Sequence, residues 1–208
     1  MRIAVFGGTG RVGRRLIEYA SQAGHSVRAL ARDPARLRSE AAESEAVAGD
    51  VSDPAAVLAT LDGVEVVLSS LGGAGLANPG TAISQGMRNI VAAMTRSGTR
   101  RILAVAGSGV LDDPRGGLRG ESPDFPELYR AITREHMATW EALHQSDLEW
   151  TLACCPDLVD GKRTHRYRVE ANRLPQGGTS ISVEDVADFM VEQAGAPSYP
   201  RLRVGLAY

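Results

Sequence analysis

The chain has 208 residues, enough for one domain with a sizeable core, and its 43% hydrophobic and 23% charged residues are an ordinary globular balance. A net charge of −2 excludes a global field that would draw it to nucleic acid or to an acidic membrane surface. Its two cysteines, Cys154 and Cys155, are adjacent, so a disulfide framework is excluded and two small buried residues are expected in preference to a redox pair.

In chain order, Ile3–Phe6 reads as a buried strand that runs into Gly7-Gly8-Thr9-Gly10-Arg11-Val12-Gly13, and a helix opens at Arg14-Arg15-Leu16-Ile17 and continues to Ala23. Strand, glycine turn and helix in this order form a pyrophosphate pocket. The glycines allow a tight turn and close approach, and the helix start supplies unpaired N–H groups and partial positive charge. Gly7, Thr9, Gly10, Arg11, Val12 and Gly13 are the expected cradle. A first strand beginning at Arg2 leaves no room for a signal peptide, and no apolar run has the length of a membrane helix, so a cytoplasmic protein is expected.

Ser26–Ala31 is the second strand, and Asp33-Pro34 is an N-cap followed by proline for a short helix through Arg38. Arg32 stands at the strand end where an acid would accept from a ribose 2′-OH, and Arg36 lies one helical turn further on. Two guanidinium groups suit a 2′-phosphate, so NADP is favoured over NAD; the alternative is two solvated arginines. Ala46–Ala48 is a weak third strand, followed by Asp50 and Val51. Asp50 either accepts from an adenine amino group, with Val51 on the ring, or bonds its own turn. Asp53-Pro54 repeats the cap signal for a helix to about Leu61. Val64–Leu68 is the fourth strand, and Leu71, Gly72 and Gly73 beyond it allow close approach to the dinucleotide; Gly72–Gly80 is expected to be a mobile loop.

A helix is predicted over Ile83–Arg96, a fifth strand over Ile102–Ala106, a helix over Leu128–His144 and a sixth strand over Trp150–Cys154. This alternation predicts an α/β fold, a doubly wound parallel sheet of Rossmann type in one domain, residues 1–208. After Pro156 the pattern changes. Residues 156–208 are expected as a small, irregular C-terminal part over the substrate side, containing a helix from Ser182 to about Gln193 and a last strand over Leu202–Gly205.

Ser108, between Gly107 and Gly109, follows the fifth strand at the height of a nicotinamide ring, where it can hydrogen-bond a substrate or satisfy its own loop. His136, Pro156, Asp157 and Leu158 are further candidates for the substrate side, Asp157 being either a pocket residue or a turn cap. The acid–base pair of Tyr with Lys four residues later is absent: Tyr129 is followed by Thr133, and Lys162 is the only lysine. His25, His144 and His165 have no metal-ligand spacing with each other or with the cysteines, and no nucleic-acid or P-loop signature occurs.

At these residues the chain resembles the NAD(P)-binding, NmrA-like branch of the atypical short-chain dehydrogenases, and within it the biliverdin-IXβ reductase (NADPH-dependent flavin reductase) group. The matching stretches are Phe6–Gly10 with Gly13, Arg32-Asp33 with Arg36-Leu37, Val47–Val51, Leu71-Gly72, Arg88–Met94, Ser108, His136 and Val183–Met190. The resemblance implies that Gly7, Thr9, Gly10, Val12, Arg32, Arg36, Asp50, Val51, Leu71 and Gly72 hold NADPH, and that Ser108 and His136 lie near the substrate. It further implies hydride transfer to a planar conjugated acceptor (a flavin, quinone or tetrapyrrole-like ring) with solvent supplying the proton. The alternative in the same family is a non-catalytic NADP-binding redox sensor. Where the family has histidine after the proline of strand six, this chain has Asp157, which would repel acidic groups on the acceptor. A monomer or weak homodimer with a small-molecule partner is expected.

Overall fold

The computed structural model describes residues 1–40 and 44–208. Strand β1 (Arg2–Phe6) shows how the layers are made. Successive side chains point to opposite faces, so Ile3 and Val5 enter one core layer while Ala4 and Phe6 enter the other, and all four are buried. The glycine turn leads into α1 (Arg11–Gln22), followed by β2 (Ser26–Ala31), α2 (Pro34–Glu40), β3 (Ser44–Ala48), α3 (Pro54–Thr60), β4 (Val66–Ser69) and α4 (Ala82–Ser97). Then come β5 (Arg101–Gly107), α5 (Glu127–His144), β6 (Glu149–Cys155), β7 (Asp157–Val159), β8 (Arg168–Ala171), β9 (Ser180–Ser182), α6 (Val183–Gly195) and β10 (Leu202–Ala207).

The main sheet has the order β3-β2-β1-β4-β5-β6-β10-β8, parallel as far as β10, with β8 added antiparallel at the edge. The order reverses between β1 and β4, which opens a crevice at the carboxyl ends of those strands. Helices α1 and α6 pack together on one face; α3, α4 and α5 cover the other. The proposed caps are present: Asp33 Oδ1 accepts from the amides of Ala35 (3.0 Å) and Arg36 (3.1 Å), and Asp53 Oδ1 from Ala55 (2.9 Å).

Two differences from the sequence reading have physical causes. Helix α1 starts at Arg11, not Arg14, because Val12 and Gly13 are already buried against the sheet. The part after Pro156 is more ordered than expected. It contains β7 and β9, which pair with each other, and β8, while β10 and α6 complete the sheet and one core layer.

The polar segment before α6 is strapped down by two buried aspartates. Asp185 accepts from the Thr164 amide (2.7 Å), the Thr164 hydroxyl (2.6 Å) and the Tyr208 hydroxyl (2.7 Å). Burial pushes its pKa up, but these bonds outweigh burial and hold it below the usual carboxylate range. Asp188 takes the Arg163 guanidinium and His165 Nδ1 (2.9 Å). Cys154 and Cys155, being neighbours on a strand, face opposite core layers and are free; burial pushes the Cys154 thiol up to about 12.

Candidate functional site

The glycine turn is built by close approach. Gly7 has φ +85°, and a Cβ there would lie 2.5 Å from the Ser70 carbonyl oxygen, so the turn rests directly on the end of β4. A Cβ on Gly13 would lie 2.0 Å from the Gly7 carbonyl oxygen; only glycine lets the first turn of α1 sit against the loop. Gly10 caps α1 without a side-chain bond, and the first turn holds no acid. Arg11 and Arg15 in this region are already paired, with Asp160 and with Glu18 and Glu184, so what the turn offers an anion is its uncapped amides. Space closed to any Cβ and uncapped amides at a helix start fit a dinucleotide pyrophosphate.

On the adenosine side, Arg32 emerges from β2 with its side chain 85% exposed, its Nε 3.8 Å from Asp50 Oδ2. Asp33 is committed to capping α2 and is not available as a ribose acceptor. Asp50 accepts from the Ser52 amide at 2.8 Å, so its carboxylate closes its own turn, and the Ser52 hydroxyl, ahead of that amide bond, holds its pKa low. Val51 and Leu71 meet over Gly86 of α4, placing both apolar side chains along one wall. Asn89 holds that wall: its Nδ2 donates to the Val51 carbonyl at 2.8 Å. Asn89 lies inside the Arg88–Met94 run but carried no role from its residue type alone. Gly72 is exposed, and Gly73 lies against Pro79, with the Ala74 amide donating to the Pro79 carbonyl at 3.1 Å across the loop base.

The other side of the crevice is lined by one face of α5. Tyr129, Thr133 and His136 follow one another at i, i+4 and i+7. Thr133 lies over Gly109 and His136 over Gly107. His136 Nδ1 accepts from the Gly107 amide at 3.0 Å, and burial pulls the imidazole down to about 4, so the ring is neutral and Nε2 carries its proton. Ser108 opens a short 3₁₀ turn after β5, and its hydroxyl has no hydrogen-bond partner among the described residues. Register pairs Gly107 with Cys155, so Pro156 and Asp157 leave β6 beside Ser108 and Gly109.

Asp157 is exposed, and its Oδ1 accepts from the Tyr129 hydroxyl at 2.9 Å; this bond is the first cause of the raised Tyr129 pKa. Tyr129 therefore stands at the site, but as a partner of Asp157 and with Thr133 in the position a lysine would take. Leu158 turns its side chain into the core, and its carbonyl accepts from Arg11. The Arg11 side chain points away from the phosphate cradle: its Nη2 lies 2.7 Å from Asp160 Oδ1, which ties the start of α1 to the segment after β7. Its backbone forms the helix start, beside the expected cradle. Among the described residues no cluster of metal-ligating side chains occurs, and no helix is long and apolar enough to cross a membrane.

A family model described as NAD(P)H-binding matches residues 7–197. Among solved structures, a candidate exported protein from Burkholderia pseudomallei is 32% identical, with 100% of both chains covered and a TM-score of 0.87. A candidate epimerase from Bacteroides thetaiotaomicron is 25% identical over 100% of this chain and 96% of that one, TM-score 0.84. A candidate NADH-flavin reductase from Streptococcus pneumoniae is 22% identical over 100% of this chain and 99% of that one, TM-score 0.85.

Proposed function

Because this chain belongs to the NAD(P)H-binding family, we propose that it is an NADPH-dependent reductase of planar conjugated acceptors such as flavins, quinones or tetrapyrrole-like rings. The observation that carries this reading is the α5 face. It presents a neutral imidazole donor beside the free Ser108 hydroxyl, but no lysine to activate Tyr129, whose hydroxyl already donates a hydrogen bond to Asp157. Such a wall hydrogen-bonds and orients an acceptor; it lacks the tyrosine–lysine pair that carbonyl reduction and sugar epimerisation on this fold employ.

Bound NADPH supplies a hydride from its nicotinamide ring. The residues contribute position. Gly7–Gly13 seats the pyrophosphate, Val51 and Leu71 form the apolar wall, and Ser108 and His136 Nε2–H donate to the electron-rich edge of the acceptor. Likeness to the candidate flavin reductase supports this acceptor class. Selection of NADPH over NADH rests on Arg32 at the end of β2, with Asp33 committed to its cap. The test is NADPH oxidation with FMN, FAD and small quinones. NADPH binding without turnover of any of them would favour a sensor over an enzyme. Calorimetry gives the donor: Arg32→Ala is expected to weaken NADPH about tenfold or more while leaving NADH within twofold. Equal losses for both would refute the 2′-phosphate role.

A further inference from the structure

Asp157, Asp160 and, from α5, Tyr129 stand on the wall beyond β6. Asp160 is neutralised, because Arg11 Nη2 lies 2.7 Å from its Oδ1 and the same guanidinium reaches the Leu158 carbonyl at 3.3 Å. Asp157 differs. Its Oδ1 accepts from the Tyr129 hydroxyl at 2.9 Å, and no cation among the described residues pairs with it. A phenol proton is a dipole. It fixes the direction of the carboxylate and leaves its unit charge in place.

The position of that charge follows from the register. Asp157 lies two residues past Cys155, the partner of Gly107, so it leaves the sheet next to the Ser108–Gly109 turn. Tyr129, Thr133 and His136 come off one face of α5, the last two over Gly109 and Gly107. The hydroxyl–carboxylate pair therefore stands beyond the Ser108–Gly109 turn, at the outer end of the α5 face whose inner residue is His136. The inner groups are neutral donors, and the outer group is a fixed, uncompensated anion.

We infer that the Tyr129–Asp157 pair is a charge filter: the site admits uncharged planar acceptors and disfavours those with an anionic substituent at that edge. This deepens the reductase reading and rests on it for the identity of the cleft. Unlike flavin mononucleotide or a propionate-bearing tetrapyrrole, an unsubstituted quinone has no charge to repel. Like charges within roughly 12 Å of each other at a protein surface correspond to a preference of about tenfold or more at low salt, reduced at high salt.

The test compares 1,4-naphthoquinone with 1,4-naphthoquinone-2-sulfonate, which share a ring and differ by one negative charge. Binding of each to the NADP⁺-loaded protein is measured by calorimetry, and reduction by NADPH oxidation, for wild type, Asp157→Asn and Tyr129→Phe. Because the ratio of the two quinones is compared between proteins, their different intrinsic reactivities cancel. The sulfonate is expected to gain about tenfold on the neutral quinone in Asp157→Asn, in affinity and in kcat/KM, and to gain little in Tyr129→Phe, which keeps the carboxylate. A ratio in Asp157→Asn within twofold of wild type overturns the filter. So does a Tyr129→Phe ratio shifted as far as that of Asp157→Asn, since shape would then be the cause. If wild type binds the quinones without oxidising NADPH, the reductase reading falls while the binding ratio still decides the filter. Binding of neither quinone overturns both.

Discussion

The sharpest test of the dinucleotide cradle is a single methyl group. In Gly13→Ala the new Cβ would stand 2.0 Å from the Gly7 carbonyl oxygen, 2.7 Å from its carbon and 2.8 Å from the Gly8 Cα. The turn cannot retreat, because Gly7 already rests on the Ser70 carbonyl. Overpacking of this kind costs about 3 kcal/mol, the upper end of the usual range. For a domain of this size that is a fall in Tm of roughly 6–12 °C. The helix start must also move relative to the loop, so NADPH affinity is expected to drop about tenfold or more, since each misplaced charge-assisted bond is worth about 1.5–3 kcal/mol. Gly24→Ala is the control. Gly24 has φ +79° but nothing within 4 Å of an added Cβ, so the substitution carries only backbone strain, about 1–2 kcal/mol. It should lower Tm and leave the NADPH Kd unchanged. Differential scanning calorimetry and NADPH titration of both variants separate the effects. A Gly13→Ala protein that melts and binds as wild type, or a Gly24→Ala protein that loses NADPH equally, refutes the close-approach argument.

His136 makes stability depend on pH. Its folded pKa, about 4, lies below the unfolded value near 6.5, so below pH 6.5 only the unfolded chain takes up the proton. Stability from this group is complete above pH 6.5 and is lost as pH falls toward 4, by about 3 kcal/mol at most. Urea unfolding between pH 7 and 4.5 should show a steeper loss for wild type than for His136→Gln; parallel curves would mean that the ring is not held neutral. Asp188→Ala removes the carboxylate from Arg163 and His165. The expected cost is about 2–3 kcal/mol, less than for a fully buried pair because the Arg163 side chain is 36% exposed. Trypsin should then cleave at Arg163 or Arg166 faster than in wild type, and unchanged cleavage would argue against the strap.

The two halves of the candidate site differ in how far apart their determinants lie along the chain, and that governs what could be read before folding. The donor half is local. The glycine turn lies between a strand and a helix that are its immediate neighbours, and the Asp33 and Asp53 caps bond amides two or three residues on. Such signals survive in the one-dimensional pattern because their partners travel with them. Even there, the helix start was displaced by three residues, since Gly13 has the composition of a turn and only packing against Gly7 makes it helical.

The acceptor half is assembled by pairings that no local pattern encodes. Tyr129 and Asp157 are 28 residues apart and Arg11 and Asp160 are 149, and on the donor side too the Asn89–Val51 bond spans 38. Each side chain taken singly had a bland explanation: a helix tyrosine, a helix asparagine, an arginine at a phosphate turn. Strands β7, β8 and β9 escaped notice for the same reason. They are three or four residues long, β7 and β8 are largely exposed, and their ladders depend on partners elsewhere in the chain. A short local motif can therefore be shared by every member of a family that binds the same donor. The acceptor wall is free to change one contact at a time, because replacing Asp157 or Tyr129 disturbs neither the cradle nor the core. On this architecture the donor reading rests mostly on turns local to the ends of the first strands, and the proposed acceptor reading on what α5 and the segment after β6 present to each other.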